Sequence, residues 1–296
     1  MTLAFSMPIH EPVLLREVLS LLNPQPGQNF LDGTFGGGGH ALAILERVKP
    51  DGKVIGIDWD EKTIQTNKNK NLILINDNYK NLKKIINDSG ISKICGILLD
   101  LGLSSDQLEQ DRGFSFQGQG FLDLRFNQKE GITAAEILAT CNEEELIKIF
   151  KEYGEEPLSK PIAKKIIANR ASGRKIETAD MLVQLVSETY RKYFKKPSKH
   201  NPATRIFQAL RIAVNDEFGN IRFALPQAMQ VLVPGGRLAV ISFHSGEDRI
   251  VKNFFKDQAK KGKVNILTKK PVTASEEEMT NNPRSRSAKL RVAEKI

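Results

Sequence analysis

The residues with the most chemical content sit in the segment FLDGTFGGGGHA. There the acid Asp32 ends an apolar run, the chain turns through Gly36, Gly37, Gly38 and Gly39, and a predicted helix starts at His40-Ala41. Glycines let backbone amides approach a ligand closely, and a helix start offers donors to it. A second acid, Asp58, ends the next strand in VIGIDWD, the position at which doubly wound folds hydrogen-bond a ribose diol. Together these residues describe an adenosine pocket. A third acid, Asp100, is delivered by the buried run of ILLDLGLSSDQ and followed by the small-residue loop Gly102 to Ser105. Open α/β sheets place active sites at such strand ends.

Other readings of the same residues stand beside this one. Four glycines can be only a flexible turn, and Asp58 only a solvated strand-end carboxylate. Gly36, Gly38 and Ala41 also satisfy the permissive dinucleotide pattern, so an NAD-dependent oxidoreductase acting on a small molecule is a rival. A non-catalytic RNA-binding factor that retained the fold is another.

These groups need a scaffold, and the first hundred residues supply its rhythm. Short strands are predicted at 29–31, 53–57, 72–75 and 95–99, with helical stretches between them, the pattern of a parallel α/β sheet. From about Gln110 the texture changes to the loop Arg112-Gly113-Phe114-Ser115-Phe116 and then to helices. Thr133 and Glu136 form a capping box, and Leu146, Ile149, Phe150 and Tyr153 make an apolar stripe that stops at Gly154. A helix carrying Ile162, Ile166 and Ile167 ends near Gly173. The next starts at Thr178 and buries Leu182, Leu185, Val186 and Thr189. Sheet-like texture resumes with helices near 202–218 and 221–232, the turn Pro234-Gly235-Gly236 and a strand at 237–241. The expected organisation is a discontinuous domain of residues 1–108 and 204–296, interrupted by an inserted helical domain of residues 109–203.

Composition narrows the class. The chain has 296 residues and a formal net charge of +9, which favours a polyanionic partner. Its two cysteines, Cys95 and Cys141, lack the paired spacing of a zinc site or disulfide framework. No metal is expected. Nothing in MTLAFSMPIHEPV resembles a targeting segment, and no stretch approaches the roughly 20 apolar residues that cross a bilayer. A cytoplasmic protein without membrane attachment is expected; its oligomeric state, a homodimer included, is left open.

LVPGGRLAVISFH resembles the late strands of class I methyltransferases. The series HEPVLLREVL, LDGTFGGGGH, ILLDLGLSSDQL, RGFSF, LDLRF, YGEE, HNPATRIFQALRIAVNDE, LVPGGRLAVISFHSGEDRIVK and NPRSRSAKLRVAEK runs nearly end to end. On it the chain resembles the ribosomal RNA small-subunit methyltransferase H family, also called MraW. The resemblance implies a class I, Rossmann-like α/β sheet with an all-helical insertion expected to take part in RNA recognition. It also implies transfer of a methyl group from S-adenosylmethionine to the exocyclic N4 of a cytidine in the decoding region of bacterial 16S rRNA, within an assembled small subunit. Carried over residue by residue, the family's cofactor positions fall on Gly38, Gly39, His40, Asp58, Tyr79, Asp100 and Gln107. At Tyr79 relatives often have phenylalanine.

The donor methyl is already activated, so the protein must align the acceptor and exclude water. A cytosine amine is a poor nucleophile because its lone pair is delocalised, and a carboxylate accepting an amino hydrogen localises that pair. Asp100 is the candidate, although it can equally be a structural or cofactor-holding acid. The loop after it, Asp100-Leu101-Gly102-Leu103, departs from the Asn/Asp-Pro-Pro-aromatic pattern of other amino-group methyltransferases. An extruded base needs stacking partners; Phe114 and Phe116 are candidates, and Phe243 is a similar case. Thr204, Arg205, Gln208, Arg211 and Asn215 lie on one predicted helix, four of them in a polar stripe opposite Ile206, Leu210 and Ala213. Arg205, Gln208 and Arg211, with Arg284 and Arg286, are the candidate RNA contacts. Lys289, Arg291, Lys195, Lys196 and Lys199 add positive charge. Ser245 and Asp248 are expected to cap the helix after His244.

Overall fold

The computed structural model describes residues 12–64, 69–103, 112–115, 120–194 and 201–296. Gln107, Phe116, Lys195, Lys196 and Lys199 lie outside them. The chain divides into two compact units, Met1–Gly102 with Phe218–Ile296, and Leu103–Glu217.

In the discontinuous unit, α1 (Leu15–Leu22), β1 (Asn29–Asp32), α2 (Gly39–Val48), β2 (Val54–Asp58), β3 (Leu72–Asn76), α3 (Leu82–Ser89) and β4 (Ile94–Asp100) alternate as the sequence rhythm predicts. β5 (Leu232–Ser242), β6 (Val264–Ile266) and β7 (Lys289–Lys295) complete one sheet in the order β3-β2-β1-β4-β5-β7-β6. β1 to β5 pair in parallel, and β7 runs antiparallel between β5 and β6. Strand order reverses between β1 and β4, the crevice at which open α/β sheets bind ligands. One face packs Phe30, Val54, Leu98, Ala239 and Ile241 against Val18, Leu19 and Leu22 of α1 and Ile44, Leu45 and Val48 of α2. Alternate residues Leu31, Ile55, Ile57, Ile97, Leu99 and Val240 are equally buried and point to the other face. Burial on both faces explains why these strands read as unbroken apolar runs.

The expected turn Pro234-Gly235-Gly236 is a bulge inside β5. Leu232 stands opposite Ile94 and Arg237 opposite Gly96, so residues 233–236 leave the ladder, with Gly235 at φ +77°.

The second unit is built from helices Ala134–Thr140, Glu143–Glu152, Ser159–Ala171, Ala179–Tyr193 and Thr204–Asn215. The Thr133/Glu136 capping box is present, and a second one joins Asn142 and Glu145. Leu146, Phe150, Ile162, Ile166, Leu182, Leu185, Val186, Ile206, Phe207 and Leu210 share one core. Thus helix Thr204–Asn215 groups with the helical unit, and the boundary falls after Glu217 rather than at 203. The reason is the apolar stripe Ile206, Leu210, which is buried among the other helices. A Cβ on Gly154 would stand 2.5 Å from the carbonyl of Arg205, so glycine there lets this helix come close.

Candidate functional site

The site lies at the tips of β1, β2 and β4. After Asp32 the chain bends through Gly33, where a Cβ would meet the Leu99 side chain at 2.5 Å and Tyr79 Cβ at 3.2 Å. Thr34 then folds back: its amide and hydroxyl donate to Asp32 Oδ1 at 3.1 and 3.3 Å, and its oxygen accepts the Asp100 amide at 2.6 Å. Gly36 and Gly38 adopt φ of +51° and +77°, values that a side chain resists. α2 then begins without an N-cap side-chain hydrogen bond; the Ala41 amide in its first turn is taken by Asp32, and the amides ahead of it can serve a ligand.

Asp58 closes the second side. Its Oδ2 accepts the Gly36 amide at 2.8 Å and its Oδ1 the Asp60 amide at 2.9 Å. The Trp59 amide is a third donor to the Asp58 carboxylate, which leaves acceptor capacity for a ribose hydroxyl. Burial pushes its carboxyl up to about 6. Beyond β3, Asn78 Oδ1 accepts the Lys80 amide while its buried Nδ2 has no hydrogen-bond partner among the described residues. The next residue is Tyr79, half-buried.

Asp32, 1% exposed, is raised to about 7 by burial. Asp100 is raised to about 8 by burial and by the nearby charge of Asp32, which Arg284 partly opposes. Its Oδ1 is buried without a hydrogen-bond partner among the described residues. Its Oδ2 stands 3.7 Å from Nδ1 of His40, whose Nε2 lies 2.9 Å from the Val13 carbonyl. Burial holds the His40 imidazole down at about 4, so the ring is neutral.

The sequence-predicted residues therefore separate. His40, Asp58, Tyr79 and Asp100 come together with the Gly38–Gly39 bend, whereas the expected RNA contacts divide into exposed and internal groups. Arg205 and Arg286 are exposed. Arg284 is half-buried, and its charge reaches Asp100. Arg211 is held by both oxygens of Glu217 at 2.7 and 2.9 Å. Gln208 donates to the Tyr153 carbonyl at 3.1 Å, and Asn215 donates to the Leu124 carbonyl at 2.7 Å. The polar stripe is thus a set of internal ties. Phe114 is 5% exposed and stacks on Phe126 with ring centres 5.9 Å apart, which makes it a core ring and not a platform for a base.

The cap of helix Ser245–Lys260 also differs from expectation. His244 is the capping residue and Glu247 its partner, while Asp248 grips Arg291 at 2.6 and 3.1 Å. Arg291 is 7% exposed and so does not reach a phosphate. Sequence reasoning passes over Thr34, Asn78 and Glu247. The available signals are a hydroxyl two residues after a strand-end acid, an amide beside Tyr79, and the spacing His244-x-x-Glu247.

Residues 7–296 match the model of the MraW methylase family. Ribosomal RNA small subunit methyltransferase H of Heliobacterium mobile is 46% identical over 97% of this chain and 99% of its own. The protein of that name from Desulfotalea psychrophila is 46% identical over 97% and 98%, and that from Caldicellulosiruptor saccharolyticus 42% over 97% and 99%. A solved rRNA methylase from Streptococcus thermophilus is a remote likeness, with TM-score 0.40 and 13% identity over 99% of both chains. The chain belongs to the MraW methylase family.

Proposed function

We propose that this chain transfers a methyl group from S-adenosylmethionine to the exocyclic N4 of a cytidine in the decoding region of 16S rRNA, acting on an assembled small subunit. The observation that carries the reading is the Asp100 carboxyl at the switch point, with Oδ1 buried and unpartnered among the described residues. A buried acceptor of that kind costs free energy unless a ligand supplies its hydrogen. Family membership supplies the reaction class and the RNA substrate of the named relatives.

The residues present fit the donor. Asp58 suits a ribose hydroxyl, the Asn78 amide a ring acceptor of the adenine, and the leading amides of α2 a carboxylate. When bound, S-adenosylmethionine supplies an activated methyl group. Asp100 accepts a hydrogen of the incoming amine, localises its lone pair, and takes the proton that the product nitrogen loses. The antiparallel β7 inside the sheet departs from the dinucleotide-binding order, which weighs against an NAD-dependent oxidoreductase.

Incubating the protein with labelled donor and under-methylated small subunits, followed by nucleoside mass analysis, tests the reading. N4-methylated cytidine is expected. Labelling of a different nucleoside would overturn the target, and no transfer to any subunit would favour the non-catalytic RNA-binding alternative.

A further inference from the structure

Four groups that can hold a proton or a charge face Asp100 from separate elements. His40 comes from α2, Asp32 from β1, Glu247 from helix Ser245–Lys260 and Arg284 from the turn Pro283–Ser287. Only the first offers an unprotonated nitrogen. The Val13 carbonyl can only accept, so His40 Nε2 must carry the ring proton, and the neutral ring leaves Nδ1 bare. That bare nitrogen stands 3.7 Å from Asp100 Oδ2. The gap is longer than a hydrogen bond, and an ionised Asp100 would there set its negative charge against a lone pair; a proton on Asp100 relieves that repulsion.

We propose that, before the donor binds, Asp100 carries, beside the bare Nδ1 of His40, a proton that the sulfonium charge of S-adenosylmethionine expels and the neutral sulfur of the product S-adenosylhomocysteine allows to return. The proposal rests on the donor site proposed above. Burial and the neighbouring Asp32 already favour the protonated acid, whereas a positive charge brought close favours the carboxylate. Binding of the donor therefore releases the proton to solvent. In the transfer step the nitrogen lone pair forms the new C–N bond, the S–C bond breaks with its electron pair staying on sulfur, and the amine proton passes to Asp100. The product complex then carries the same proton as the free protein. The device prepares the base only when the methyl donor is present, and it lets the site distinguish donor from spent donor by charge.

Calorimetric titration in two buffers of different ionisation enthalpy tests this on the intact protein near pH 7. S-adenosylmethionine is expected to release up to one proton per site and S-adenosylhomocysteine close to none. Donor affinity is expected to tighten by up to about tenfold per pH unit on approaching pH 8, with product affinity flat. Asp100→Asn is expected to remove the difference. Equal proton release with both ligands in the wild-type protein overturns the proposal, as does release that persists in a ligand-binding Asp100→Asn variant. If that variant does not fold, the wild-type comparison of the two ligands decides alone. Failure of the wild-type protein to bind either ligand removes the donor site itself, and this proposal with it.

Discussion

The Asp100 amide donates to the Thr34 hydroxyl across 2.6 Å, and that hydroxyl faces Asp32 Oδ1 at 3.3 Å. One side chain thereby joins the tips of β1 and β4, on the two sides of the point where strand order reverses. The bridge fixes the spacing of two acids that would otherwise repel.

Thr34→Val keeps the shape and removes the hydroxyl. The Asp100 amide loses its acceptor, and urea unfolding is expected to show a loss of about 1–3 kcal/mol. Donor affinity should fall with it, because the Asp100 carboxyl is no longer held in place. Unchanged stability and unchanged affinity together would show that the bridge carries no weight.

Asp100→Asn removes the proton acceptor but keeps the size. Methyl transfer to small subunits is expected to drop by about 10²- to 10⁴-fold, the range typical of a lost general base. Single-turnover measurement with saturating donor reads the chemical step directly, and wild-type turnover there would end the catalytic assignment.

The unliganded protein should lose stability as pH rises from 6.5 to 8. Asp32 and Asp100, raised to about 7 and about 8, bind protons in the folded chain that the unfolded chain has already released. Stability falls with pH wherever the native state holds more protons. Below pH 6.5 the depressed His40, at about 4, contributes in the opposite direction, since the unfolded ring then binds the extra proton. Thermal melts across the window check the sign, and Asp100→Asn should flatten the slope.

Arg205 and Arg286 are exposed. Replacing both by glutamine should weaken binding to small subunits and reduce the dependence of log affinity on log salt by about one unit for each phosphate that is no longer neutralised. Folding stability should stay within about 0.5 kcal/mol. An unchanged salt slope would remove these two side chains from the RNA surface.

Much of the sheet is legible in the sequence because its central strands are buried on both faces and three of them end at acids. Asp32, Asp58 and Asp100 are each the last residue of a strand. β7 is not legible: LRVAEK mixes apolar and charged residues, and Arg291 is buried only because Asp248, 43 positions away, neutralises it. Arg211 reads as a free cation because its partner follows a left-handed residue, Asp216 at φ +47°, which turns the chain so that Glu217 comes back against it. Phe114 reads as a stacking ring because nothing local reveals Phe126 as its partner. The tautomer of His40 depends on the Val13 carbonyl, 27 positions away, and no local pattern encodes it.

The interruption of the sheet sets an order of events during synthesis. The helical unit is continuous from Leu103 to Glu217, whereas β5 emerges only afterwards. A growing chain can therefore complete the helices while one side of β4 still presents unpaired amides and carbonyls. Such an edge recruits other extended chains, so the interval before β5 arrives is when a nascent polypeptide is most exposed to aggregation and most in need of a chaperone.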